Sequence, residues 1–206
     1  MKQHNHTNRD ALRVLDFWFG EMTDGFCSAA ARRRWFAADP VFDQEIVTQF
    51  ARLLEDAARG ALTEWLDEAR GNLAFVIVTD QFSRQIHRGS PAAFATDALA
   101  RDAARSGIER GHDRSFSIDE RSFFYLPFEH SESRVDQYTS VGLFARLVED
   151  TPPEHRAIAE ESLRFARAHR DIVLRFGRFP HRNACLGRAP SEAELEFLRT
   201  ASRFGQ

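Results

Sequence analysis

The sequence predicts an all-α fold, a single domain of roughly nine or ten antiparallel helices. Three observations carry that reading. Capping residues followed by proline recur along the chain, the apolar residues between them fall at helical spacing, and no two strand patterns are present to pair. The 206 residues suffice for one sizeable core, and no Gly/Ser or Pro linker divides them.

The elements follow in order. Residues 1–9 are polar and without period, so a disordered tail is expected there, with one helical domain over 10–206. Asp39-Pro40 offers an N-cap with proline at the first helical position. Phe42, Ile46, Phe50, Leu53, Leu54 and Ala57 then recur at helical spacing, and Gly60 ends the segment. LAFVIVTD at 73–80 is the one ambiguous stretch. It is read as helix because Leu73, Ile77, Gln81 and Arg84 continue one face; a helix apolar all round is a central one. Ser90-Pro91 opens a segment expected to close at Gly107. Ser117 with Glu120, and Ser191 with Glu194, have capping-box spacing. Pro127 is expected to break or kink its helix at Leu126. Thr151-Pro152-Pro153-Glu154 is the clearest start: cap hydroxyl, proline, then a carboxylate, opening a helix to about Phe176 that stops at Gly177. Trp18, Trp35 and Trp65 are expected to be mostly core.

Composition narrows the functional classes. Hydrophobic residues are 43% and charged residues 29%, a globular balance. The net charge of -3 disfavours a nucleic-acid partner. The longest apolar run, LAFVIV, is six residues, too short for a bilayer. The first thirty residues lack the apolar centre of a secretory leader. Cys27 and Cys185 form no disulfide framework, so a cytoplasmic setting is expected. Of 28 basic residues, 27 are arginine. GC-rich codons are the plain explanation, and anion recognition by guanidinium forks the sharper one. Residues 162–188 hold seven arginines against the single acid Asp171, facing a body over 1–150 with net charge -6.

Three polar clusters stand out, each at the end of an apolar stretch. In the first, Asp80 and Arg84 share a helix face; the plainer reading is an intrahelical ion pair. In the second, FFYLPF at 123–128 leads into Glu129 and His130, a carboxylate and an imidazole against an apolar wall. The third is the segment from His169 to Asn183, with His169 on the inward stripe and Arg178, His181, Arg182 and Asn183 in the following turn. Its plainer reading is arginines capping helix carbonyls. No CxxC, HExxH, GxGxxG, Walker or GxSxG motif occurs, so no metal and no cofactor is expected. Glu109 and His112 form a lone ExxH, which is weak support for a metal.

At these clusters the chain resembles a bacterial group, domain-of-unknown-function family 924. The blocks are VLDFWFG at 14–20, RWFAADPVFD at 34–43, DQFSRQIHRG at 80–89, FFYLPFEHSE at 123–132, and HRDIVLRFGRFPHRN at 169–183 followed by LGR at 186–188. Gln85 stands where the family block has asparagine. The resemblance implies a tetratricopeptide-like stack of helix pairs. It implies no activity and transfers no site residue.

Three readings follow for the clusters. In the first they converge on a pocket for a small anionic ligand, with a hydrolase as the least specific reaction. Asp80, Arg84, His130, Arg178, Arg182 and Asn183 then bind; Glu129 or His169 is the general base and His181 the acid. In the second the protein is a tetratricopeptide-like scaffold for a protein or peptide, without catalysis. In the third the clusters are a buried network that fixes helix register.

Overall fold

The computed structural model describes residues 2–35, 37 and 39–200. The last residues of the expected domain, 201–206, lie outside the described residues, as do positions 36 and 38 of the block at 34–43. The helices are α1 (Lys2–Phe19), α2 (Ala29–Trp35), α3 (Pro40–Ala58), α4 (Ala69–Val76), α5 (Ser83–Ile86), α6 (Asp97–Glu109), α7 (Ile118–Glu129), α8 (Arg134–Asp150), α9 (Arg156–Phe176) and α10 (Glu192–Thr200). Strands β1 (Met22–Thr23) and β2 (Phe26–Cys27) pair as a small antiparallel hairpin, too short to leave a pattern in the sequence. The backbone is helical from Lys2, so the segment read as a tail enters α1 rather than preceding it. No helix among the described residues is long and apolar enough to cross a membrane.

Most start signals act as the sequence predicts. The Asp39 carboxylate accepts from the backbone amides of Val41 and Phe42 at the head of α3. Ser117 and Glu120 close a reciprocal capping box on α7, and Ser191 and Glu194 do the same for α10. Gly177, at φ 71°, ends α9.

Other expectations need correction. Gly107 does not end α6, which runs two residues further and stops before Gly111 at φ 77°. A Cβ at Gly107 would run into Asn72 Nδ2 and meet Phe124 Cζ at 2.5 Å, so close packing is what requires this glycine. Thr151 caps nothing ahead of it; its hydroxyl donates back to the Leu147 carbonyl at 2.6 Å. The following helix opens with a 3-10 turn at Pro153–His155, and α9 proper starts at Arg156. Pro127 lies inside α7, which continues to Glu129 instead of breaking at Leu126.

The core is built around α4 and its extension, which pack against α1, α3, α6 and α7. Every residue from Gly71 to Ser83 is buried, as expected of a central helix. Trp18, Trp35 and Trp65 are all core, with the Trp35 indole donating to the Trp18 carbonyl at 2.8 Å. A second, smaller apolar cluster of Ile172, Val173 and Phe179 lies at the C-terminal end of α9.

Candidate functional site

The segment at 73–80 is helical, but not uniformly. Between α4 and α5, residues Ile77–Phe82 form a π-helix. A π segment widens the backbone and leaves carbonyls to be met by other groups. Here Thr96 Oγ1 donates to the Thr79 carbonyl at 2.6 Å, and Arg84 Nη1 donates to the Asp80 carbonyl at 2.5 Å. The Asp80 side chain, 0% exposed, is thereby delivered into the centre of the fold.

Opposite it stands His130, the residue that ends α7. Its Nδ1 lies 2.8 Å from Asp80 Oδ1 and 3.0 Å from Oδ2. Gln81 Nε2 donates to Asp80 Oδ2 at 2.6 Å, and Arg84 Nη1 stands 3.1 Å from Oδ1. Arg84 also grips Asp97, with Nη1 3.0 Å from Oδ1 and Nη2 3.2 Å from Oδ2. Asp97 in turn lies 3.8 Å from Arg182 Nη1, which donates to the His130 carbonyl at 3.0 Å. The Arg182 guanidinium lies against two rings, 4.7 Å from the Phe94 centroid and 4.5 Å from that of Phe179. On the far side, His169 Nδ1 lies 2.9 Å from the Phe165 carbonyl and 3.1 Å from Glu129 Oε1. Glu129 Oε2 and the Nε atoms of Arg84 and Arg182 are buried without a hydrogen-bond partner among the described residues.

The fixed charges of this centre balance. Burial pushes the Asp80 carboxyl up, but Arg84 and His130 outweigh it and hold the group down at about 2. Glu129 has no such cation. Burial, with the Asp80 charge adding to it, pushes its carboxyl up to about 8. Two carboxylates in one centre are thus driven to opposite states at neutral pH, the pattern that separates acids from bases in enzymes. Burial, with Arg84 and Arg182 nearby, lowers His130 despite the Asp80 charge. His169 falls to about 3, chiefly through burial, and His181 to about 4 through burial and the Arg182 charge. Burial and Arg84 bring Arg182 down to about 10, still cationic at neutral pH.

Since the Phe165 carbonyl only accepts, His169 Nδ1 carries its proton and donates it there, with Glu129 Oε1 3.1 Å away. Glu129 Oε2, on the other side of the carboxyl, has no hydrogen-bond partner among the described residues.

Asp80, Arg84, Glu129, His130, His169 and Arg182 therefore meet in one place. Asn183 is buried beside it and accepts from Arg188 Nε at 3.0 Å. His181 is half-buried, its ring 5.3 Å from that of Phe179. Arg178 is placed elsewhere. Its guanidinium binds Glu194 of α10 through Nε at 2.7 Å and Nη2 at 2.8 Å. The reason is the capping box of α10, which fixes a carboxylate within reach. His112, half of the lone ExxH, lies 3.2 Å from Asn72 Nδ2.

Sequence reasoning missed Asp97, Glu132 and Arg188. Glu132 binds the Arg188 guanidinium at 2.7 and 2.9 Å and accepts from the Phe179 amide at 2.8 Å, which anchors the 179–188 turn under α7. Their spacings, 13 residues from Arg84 to Asp97 and 56 from Glu132 to Arg188, leave no local signal. Gln81, Glu132 and Arg188 do lie inside the quoted blocks, which was the available hint.

A comparison with curated proteins finds no match. Among solved structures the chain is similar to ATU0120, a protein of unknown function from Agrobacterium tumefaciens. The two are 37% identical with a TM-score of 0.80, covering 95% of this chain and 99% of that one. Residues 14–202 match the family described as "Bacterial protein of unknown function (DUF924)", a span holding every residue of the polar centre, and the chain belongs to this family.

Proposed function

We propose that the protein binds a small anionic compound at the centre between Asp80, Glu129 and Arg182. The observation that carries this reading is the pair of buried donors, the Nε atoms of Arg84 and Arg182, without acceptors among the described residues; Glu129 Oε2 is a third buried polar atom without a hydrogen-bond partner there. Burying such groups unpaired is costly, and an anion accepting from the neighbouring guanidinium groups of Arg84 and Arg182 removes that cost. A carboxyl group kept neutral by its surroundings is a good donor to an anion. The same group, once ionised, repels it. Anion affinity therefore falls as pH rises through about 8.

The pairing of Arg84 with both Asp80 and Asp97 favours a second reading, in which the network only fixes helix register. A thermal-shift series with small carboxylates, dicarboxylates and inorganic phosphate separates the two. A ligand that binds only the folded state raises the melting temperature. The binding reading expects a rise with at least one of these anions, lost in Arg182→Gln and reduced above the Glu129 titration. No rise with any anion, in a protein that Asp80→Asn strongly destabilises, leaves the register reading.

A further inference from the structure

We infer that His130 is the general base of this centre, with Asp80 its positioning residue, acting on an ester or amide of the bound anion. The inference rests on the ligand-binding reading above and deepens it.

The argument starts from the two oxygens of Asp80, both within 3.0 Å of His130 Nδ1. An ionised carboxylate only accepts, so Nδ1 carries the ring proton and Nε2 carries the free electron pair. Nε2 makes no hydrogen bond among the described residues. The His130 side chain is 13% exposed while that of Asp80 is 0%, so of the two it is the imidazole that reaches the surface.

The pair is held from both ends. Gln81 and Arg84 fix the carboxylate, and the Arg182 guanidinium fixes the His130 backbone through its carbonyl. An imidazole oriented by a buried carboxylate, with its second nitrogen free, is the arrangement that activates a nucleophile. The charged and titratable groups around it are Asp80 and Arg84 from the central helix and Asp97 from α6. Glu129 from α7, His169 from α9, and His181 and Arg182 from the turn after α9 complete the set.

In hydrolysis of an acyl ester carrying a second, anionic carboxylate, Nε2 takes one proton of a water as that water's oxygen bonds to the acyl carbon. The imidazolium then gives the same proton to the alkoxide oxygen as the acyl carbon–oxygen bond breaks. One ester and one water become one acid and one alcohol. Arg182 and Arg84 hold the anionic end.

Two measurements test this. In the first, long-range proton–nitrogen NMR on protein labelled with nitrogen-15 histidine reads the His130 tautomer in the unmodified chain. The Nδ1–H form with a bare Nε2 is expected, and the Nε2–H form overturns the assignment. In the second, the mono-4-nitrophenyl esters of succinate and glutarate are the probes. A rate above the blank that falls at least a hundredfold in His130→Gln supports the role, as does a loss in kcat with little change in KM for Asp80→Asn. Hydrolysis that survives in His130→Gln overturns it. Turnover of neither ester overturns it as well, since the Asp80 carboxylate would fix the same tautomer in a network that only sets helix register. Loss of the anion-induced thermal shift in Arg182→Gln, with the His130 tautomer unchanged, shows that binding and base assignment stand or fall separately.

Discussion

Glu129 sets the terms of the polar centre. It is a buried carboxyl at the C-terminal end of α7, and a helix C-terminus disfavours negative charge. With its carboxyl raised from 4.5 to about 8, the folded protein holds a proton that the unfolded chain gives up. The stabilising contribution is complete below pH 4.5 and is lost as pH rises to about 8. The slope is at most about 1.4 kcal/mol per pH unit. Glu129→Gln keeps the shape and cannot ionise, so its urea-unfolding midpoint is expected to vary less with pH over that window than that of the parent. Asp80 poses the opposite case. Asp80→Asn leaves Arg84 with Asp97 alone in a buried setting, and a loss on the order of 3–5 kcal/mol is expected in chemical unfolding. Arg178→Ala is the control: it breaks the Glu194 contact and is expected to leave any anion-induced thermal shift intact.

Helix starts and the central helix were legible because each depends on neighbours in sequence. A cap needs two or three residues, and an all-apolar face needs one stretch of chain. The π segment was not legible, because an extra residue in a helix shows only when both flanks are packed and their registers compared. Pro127 misled for a related reason. Its missing amide forbids one backbone bond, yet the packed residues on either side, from Phe123 to Glu129, hold α7 together through it. Gly107 misled in the other direction, since a glycine near a helix end looks like a stop when its neighbours in space are unknown. Gly107→Ala is expected to keep α6 helical and lower stability by about 1–3 kcal/mol, because the added methyl has nowhere to go against Asn72 and Phe124. Circular dichroism and a melting curve on the same sample check both halves of that statement.

The described residues fold around one main core that contains all three tryptophans, with a smaller cluster of Ile172, Val173 and Phe179. The polar centre bridges the two: Arg182 and the His169 ring both rest on Phe179, while Asp80 issues from the main core. Unfolding is therefore expected to be one transition, with tryptophan fluorescence and far-ultraviolet dichroism giving the same midpoint. Separate midpoints would mean that the C-terminal cluster opens alone. The sequence carried the three polar stretches of this bridge as candidates, since charged groups after apolar helices are conspicuous. It could not pair them, because Asp80 and His130 are 50 residues apart and Glu129 and His169 40 apart, and no periodicity spans such distances.

The wound-out turn at Ile77–Phe82 makes the centre hard to copy. Grafted onto an ideal helix, the same side chains would be mis-aimed by about 100° on one flank, the rotation that a single amino acid contributes. Anyone transplanting the Asp80–Arg84 pair into a designed bundle must import the surplus residue, together with the Thr96 hydroxyl that quiets the Thr79 carbonyl.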